Sequence, residues 1–336
     1  MSFGEPELRP ASSSSQGQQS IAPSITLPKG GGAIRGMGEK FAANPVSGTG
    51  SMSVPIAVSP GRSGFGPQLS LTYDSGAGNG PFGFGWSLTL PSITRKTDKG
   101  LPQYFDAEES DVFILSGAED LVPEYRQDAD GTWVTAHPGY QRDPRAFWVR
   151  NKSGRQVIHE DEIDGYRVRR YRPRIEGLFA RIERWIKLGT SGDVHWRSIS
   201  KDNIVTLYGV DPNSRVADPL DVGRIFSWLP SETRDDKGNG IRYLYKAEDG
   251  TCQLRPGQPD PFNQAHQFNR GRASDPRRTA QRYLHRVLYG NVKPLLDADG
   301  RRPRYIRDLL NPPTDSSADW LFEVRFDYGE LDLDDP

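Results

Sequence analysis

The residues best equipped for metal or nucleophilic chemistry are five histidines, His137, His159, His195, His266 and His285, and one cysteine, Cys252. None of the histidines falls in an HExxH pair or at another close helical spacing that gathers ligands around zinc. One thiol cannot form a thiolate cluster, and Cys252 sits in a polar stretch with no patterned histidine partner. A GxSxG nucleophile elbow is absent. Asp128-Ala129-Asp130-Gly131 and Asp297-Ala298-Asp299-Gly300 begin like calcium loops, yet both lack the later ligands and the closing glutamate. They read as hairpin turns. His195-Trp196, inside an alternating apolar run, reads as packed.

Two glycine-rich stretches could cradle phosphate. Gly78-Asn79-Gly80-Pro81-Phe82-Gly83 matches GxGxxG formally, but that chemistry needs a helix N-terminus immediately after the glycines. Phe84-Gly85-Trp86 and an alternating run follow instead, so the stretch reads as a structural turn. Lys29 beside Gly30-Gly31-Gly32 lacks the GxxxxGK[ST] order. Glu160-Asp161-Glu162 has the Glu-x-Glu spacing of some ADP-ribosyl transferases, without the arginine-bearing strand and Ser-Thr-Ser segment that should precede it. It reads as a solvated charge run. Arginines gather at Arg167, Arg169, Arg170, Arg172 and Arg174, and again at Arg277, Arg278, Arg282 and Arg286. A nucleic-acid surface would use such clusters, but the net charge of -1 makes pairing with the 44 acidic residues the default. No catalytic, cofactor-binding or metal-ligating residue is expected.

The elements around these residues explain that result. Residues 59–96 alternate short apolar runs (QLSLTY, WSLTL, SITRK) with dense Gly and Pro signals. Period-two alternation makes half-buried strands, and glycine permits positive φ and close backbone approach. Gly83, Gly85 and Trp86 are expected to serve structure: tight turns, then an aromatic anchor. The chain holds 36 Gly and 27 Pro in 336 residues, with 35% hydrophobic residues, 7 Trp, 13 Tyr and 14 Phe. That balance suits long thin sheets better than one thick core. A lone cysteine excludes an internal disulfide, and no run approaches the ~20 apolar residues of a membrane helix. Residues 1–24 lack a basic start and apolar core, so they read as a disordered tail and not a standard signal peptide.

Beyond residue 100, strand-turn-strand patterns recur: across Asn151–Gly154, across Lys201–Asn203, and across Asp235–Gly240. They predict an antiparallel meander. A proline in GSMSVPIAVSPG marks an edge or bulge. Two segments fit helix and strand alike, residues 179–188 and residues 279–289. Residues 250–278 read as a long polar loop, and the chain closes with a strand in WLFEVRFDYGE and an acidic tail.

The segment from SITLPKGGGAIRGMGEKF through FGFGWSLTLPSITRKTDKGLPQY, with ESDVFILSGAEDLVP, SWLPSETRDDKGNGIRYLYKAED, RYLHRVLYGN and FEVRFDYGE, resembles the N-terminal signature of the SpvB family. Its members include a plasmid virulence protein and the B components of bacterial insecticidal toxin complexes. The resemblance implies an all-β fold over residues 25–336, forming part of an Rhs-like shell that encloses a toxic polypeptide, with RYLHRVLYGN as a strand. It implies a C-type Rhs-repeat shell protein as partner. It also implies export from the bacterial cytoplasm to the outside; the near-neutral charge and the lack of a long apolar run add the expectation of no nucleic-acid partner and no direct membrane insertion. Neither a docking propeller nor an ADP-ribosyltransferase domain follows DYGE, and Leu331 stands at the family's usual histidine. The expectation is therefore a non-enzymatic structural module of a toxin, prone to self-association through open sheet edges. The alternative is a stand-alone β-sandwich that binds a glycan or a protein surface.

Overall fold

The computed structural model describes residues 40–44, 48–107, 109–116, 120–126, 150–151, 154–155, 157–158, 160–177, 179–190, 192–248, 275–304 and 319–328. The expected tail, Lys29–Gly32, the turn at Asp130-Gly131, His137, His159, Cys252 and His266 lie outside those residues. The fold is all-β and antiparallel, and it divides into two compact units. The smaller comprises residues up to Pro55 and Leu71–Ser87, and the larger comprises Ile56–Ser70 and Leu88 onward.

In the smaller unit, β1 (Lys40–Asn44), β2 (Thr49–Pro55), β3 (Ser70–Asp74) and β6 (Trp86–Leu88) form a sheet in that order. The proline of GSMSVPIAVSPG closes β2, as a residue without an N–H should. Between β3 and β6, β4 (Asn79–Gly80) and β5 (Gly83–Phe84) make a tiny hairpin, so the GxGxxG match is a turn. Gly85 has φ +79, and a Cβ there would lie 2.5 Å from Tyr73 Cε2 and 2.9 Å from the Asp74 carbonyl oxygen. Trp86 is half-buried, its ring 5.4 Å from that of Tyr73. Gly85→Ala should cost about 2–4 kcal/mol, from overpacking plus a left-handed backbone. A chemical denaturation curve superimposable on wild type would contradict it.

The larger unit holds β7 (Ile93–Arg95), β8 (Phe113–Leu115), β9 (Asp120–Pro123), the short pairs β10 (Tyr125–Arg126) with β13 (Val157–Ile158) and β11 (Arg150–Asn151) with β12 (Gly154–Arg155), and β14 (Glu160–Ile163). Then come β15 (Tyr166–Pro173), β16 (Arg181–Lys187), β17 (Val194–Ile199), β18 (Val205–Tyr208), β19 (Arg215–Asp218) and β20 (Asp221–Trp228). The last four are β21 (Pro230–Arg234), β22 (Gly240–Ala247), β23 (Arg282–Asn291) and β24 (Trp320–Arg325). One sheet runs β19-β20-β7-β8-β9-β15-β16-β17-β18-β21-β22-β23-β24, with β14 beside β15. Three anticipated turns appear: β11 to β12, β17 to β18 at Lys201–Asn203, and β21 to β22 at Asp235–Asn239. In the last, the Asp235 carboxylate accepts the N–H groups of Lys237 (2.9 Å) and Asn239 (2.8 Å), and Gly238 takes φ +83.

Both ambiguous segments are strands, β16 and β23. Helical spacing in them was coincidental: Ile182 and Trp185 point to opposite sheet faces and are buried on both. A two-sided strand produces an apolar run without clean alternation. Only a 3-10 turn, Pro276–Thr279, precedes β23.

β20 and β21 are one run of chain interrupted at Leu229. The first half pairs with β7 (Trp228 opposite Ile93), and the second pairs with β18 (Tyr208 opposite Pro230). The path from β7 to β18 therefore closes on itself. Inside lie Ile93, Phe113, Leu115, Leu121, Tyr171, Ile182, Trp196, Tyr208, Ile225 and Trp228, all buried. β22 to β24 extend this closed part, with Ile241, Tyr243, Leu284, Val287 and Tyr289 in a second core against Val58, Phe65, Leu88 and Leu90.

Candidate functional site

The densest polar chemistry lies at one end of the closed sheet. On β7, β15 and β16 the inward side continues past its apolar residues into an arginine: Ile93 to Arg95, Tyr171 to Arg169, Ile182 to Arg184. All three side chains are at most 1% exposed. Buried guanidiniums demand partners, and the loop from β7 to β8 supplies most of them. Asp106 binds Arg95 through both oxygens (2.6 and 2.9 Å) and also takes Arg184 Nη2. Asp111 accepts from Arg95 Nη1 (2.8 Å) and from the backbone N–H groups of Gln103 and Tyr104. Glu109 pairs with Arg169 and accepts from the Tyr171 hydroxyl at 2.9 Å, while Glu160 on β14 takes Arg169 Nε. Three guanidiniums thus face four carboxylates. Arg184 also lies 4.9 Å above the Phe113 ring, and Arg95 lies 4.7 Å from the Tyr104 ring.

Electrostatics follow from this packing. Burial alone would raise the Asp106 pKa, but the charges and hydrogen bonds of Arg184 and Arg95 outweigh it and hold the carboxyl below its ordinary value. Burial, with Glu109 adding to it, pushes the Tyr171 hydroxyl far up. Asp106 is thus a bound anion and Tyr171 a neutral donor, an arrangement that ties loop to sheet.

The residues singled out in the sequence are scattered by the fold. His195 is buried between Tyr166 and Trp185, with ring centroids at 5.4 and 5.9 Å. Asp297 accepts the N–H groups of Asp299 and Arg301 (3.0 and 2.8 Å), closing a turn. Glu160 and Asp161 are not the solvated run expected: β14 pairs with β15, and the two carboxylates meet Arg169, Arg167 and Arg170. Four arginines of the first cluster, Arg167, Arg169, Arg170 and Arg174, pair with carboxylates as expected, the last with Asp120 at 3.2 Å. Among the described residues no His, Cys, Asp and Glu group could hold a metal, and no helix is long and apolar enough to cross a membrane. A cavity of about 470 Å³ is lined by Val210, Pro212, Ala217, Pro219 and Val222 with Arg215 and Arg282. Arg215 is spent on the carbonyls of Gly192, Gly209 and Val210 and on Asp193.

The ion-pair cluster went unnoticed in the sequence, although a signal existed. Arg95 and Arg184 stand where alternation calls for an apolar residue, and DAEESD lies between SITRK and DVFIL.

Residues 44–336 match the profile of the SpvB family, described as Salmonella virulence plasmid 65kDa B protein. The chain belongs to the SpvB family. It is 34% identical over 309 residues to the mono(ADP-ribosyl)transferase SpvB of Salmonella typhimurium, and equally so to that of Salmonella dublin. The match covers 92% of this chain and 43% of the relative, so the chain spans less than half the length of the curated SpvB proteins it matches. The solved N-terminal domain of SpvB from Salmonella typhimurium superimposes with a TM-score of 0.58 at 32% identity, over 84% of this chain and 75% of that one. The TcdB2-TccC3 crystal structure gives a TM-score of 0.60 at 32% identity, over 94% of this chain and 13% of that one. The Photorhabdus luminescens Tc holotoxin pore gives 0.60 at 32%, over 92% and 12%. This chain is thus an SpvB-type N-terminal domain resembling toxin-complex components. Within that SpvB signature, Gly83, Gly85 and Trp86 sit in the β5–β6 region, at a turn and against Tyr73.

Proposed function

We propose that this SpvB-family chain is a non-enzymatic wall segment of a bacterial toxin, acting with a C-type Rhs-repeat shell protein to enclose a toxic polypeptide until delivery outside the producing cell. The observation that carries the reading is the likeness to TcdB2-TccC3 over 94% of the chain at 32% identity. The architecture is consistent: one long antiparallel sheet whose polar chemistry is committed to ion pairs between loop and strand. The binding-module alternative needs tryptophans lining a groove. Of the tryptophans among the described residues, Trp185, Trp196, Trp228 and Trp320 are instead buried, and Trp86 is half-buried.

The test is co-purification with a C-type Rhs protein from the same genome, read by size-exclusion light scattering. A stable joint particle is expected; two separately eluting proteins would contradict the reading. In the same preparation, incubation with NAD should give no nicotinamide above the blank. Steady turnover would remove the non-enzymatic part of the proposal.

A further inference from the structure

The second arginine cluster is not uniform. Arg277 pairs with Asp275 at 3.2 Å, and Arg286 binds Glu323 through two hydrogen bonds of 2.6 and 2.8 Å. Arg282, at the start of β23, pairs with no carboxylate among the described residues. Its Nη1 donates to the carbonyls of Thr279 (2.7 Å), Ala280 and Gln281 (both 3.1 Å), and its Nε is buried with no hydrogen-bond partner. Burial pulls its pKa down, and only the charge of Asp211 opposes that. A half-buried cation left in this state calls for an anion.

Arg282 lines the cavity of about 470 Å³. Gly192, at φ +79, lets the β16–β17 turn meet the β19–β20 hairpin to form one wall: a Cβ there would lie 2.8 Å from the Val222 carbonyl oxygen. Register shifts on either side of Ala217 bend that hairpin. Arg215 holds the turn in place and has its donors spent on Gly192, Gly209, Val210 and Asp193. The two carboxylates on the wall are engaged as well, Asp193 with Arg215 at 3.1 Å and Asp218 with the Leu220 N–H at 2.9 Å. Neither pairs with Arg282. Val210, Pro212, Pro219 and Val222 make the rest of the lining apolar.

We infer that this cavity binds a small organic monocarboxylate, its carboxylate on the Arg282 guanidinium and its short apolar tail against Val210, Pro212, Pro219 and Val222. Size, wall and charge each narrow the class. A volume of about 470 Å³ falls within the ~300–1,000 Å³ of small-molecule pockets. Apolar walls disfavour a bare inorganic anion, and one uncompensated guanidinium matches one carboxylate. The site does not depend on the shell reading above.

The experiment titrates the full chain with octanoate, octanol and acetate at pH 7 by isothermal calorimetry. Octanoate should bind one-to-one, at least 10-fold more tightly than octanol, which lacks the charge, and than acetate, which lacks the tail. Arg282→Gln should remove the advantage over octanol. Val222→Glu, at a position 59% exposed, should weaken octanoate at least 10-fold by placing a like charge on the wall. Octanol binding as tightly as octanoate would overturn the inference, as would no octanoate binding or binding of many molecules per chain. A folded Val222→Glu that takes octanoate as wild type does would overturn it too. Should Arg282→Gln melt early, through loss of its three carbonyl contacts, the wild-type and Val222→Glu titrations decide.

Discussion

Asp106→Ala lowers the free energy of unfolding by about 3 kcal/mol, the near end of the range for stripping one partner from a buried ion pair. Two guanidiniums lose a counter-charge at once. Arg95 keeps Asp111, but Arg184 loses its hydrogen-bonded carboxylate and is left with the Phe113 ring and the more distant charge of Glu109, its Nε and Nη1 being already buried without a hydrogen-bond partner. The Asp106 side chain is 26% exposed, which places the cost at the lower end. Equilibrium denaturation should show a lower midpoint with the slope unchanged. Removing both ends in Asp106→Ala/Arg184→Met should recover at least half of the loss, because the uncompensated charge goes too. A single-mutant loss under about 1 kcal/mol would show that the loop is not held this way. The sign of the pH dependence follows. Asp106 is held below its ordinary pKa in the folded state, so its contribution is full above the unfolded carboxylate value of about 4 and fades as pH falls through the folded one. Acid should therefore weaken wild type more steeply than Asp106→Ala.

Trp228→Ala costs about 3–5 kcal/mol, as emptying a fully buried tryptophan site does. Trp228 is 0% exposed and sits where the chain passes from β20 to β21, the seam that closes the sheet. Its ring meets Phe113 and Trp196 edge-on (centroids at 5.7 and 5.9 Å), and its Nε1 donates to the Val194 carbonyl at 2.8 Å. Gly209, at φ +68, exists to make room: a Cβ there would overlap the Trp228 ring. Near-ultraviolet circular dichroism should lose much of its aromatic signal in Trp228→Ala. Retention of the spectrum and of the melting temperature would mean that the closed core does not depend on the seam.

The all-β class, three of the hairpin turns and the packed state of His195-Trp196 were legible because each rests on local chemistry. Alternation sets a face, and Asp235 with Gly238 sets a turn. What escaped was set by distant partners. β16 and β23 are buried on both faces, so their apolar spacing carried no period to separate strand from helix. Glu160 and Asp161 looked solvated because the arginines that claim them come from the following strand's register. The cluster of Arg95, Arg169 and Arg184 was hidden further, since three of its four carboxylates arrive in a loop up to 78 residues away in sequence. Closure through Leu229 was invisible too, because nothing in RIFSWLPSETR says that its two halves pair with different neighbours. Membership of the SpvB family, with its toxin association, was legible only through the long sequence motifs and not through any catalytic spacing.

Enclosure is the central claim, and limited proteolysis tests it most directly. The C-type protein carrying its C-terminal toxic polypeptide is digested alone and after assembly with this chain. A wall segment predicts that the toxic polypeptide survives in the joint particle under conditions that destroy it in the C-type protein alone. Equal digestion in both, with the particle still assembled, would show that this chain binds its partner without helping to enclose anything.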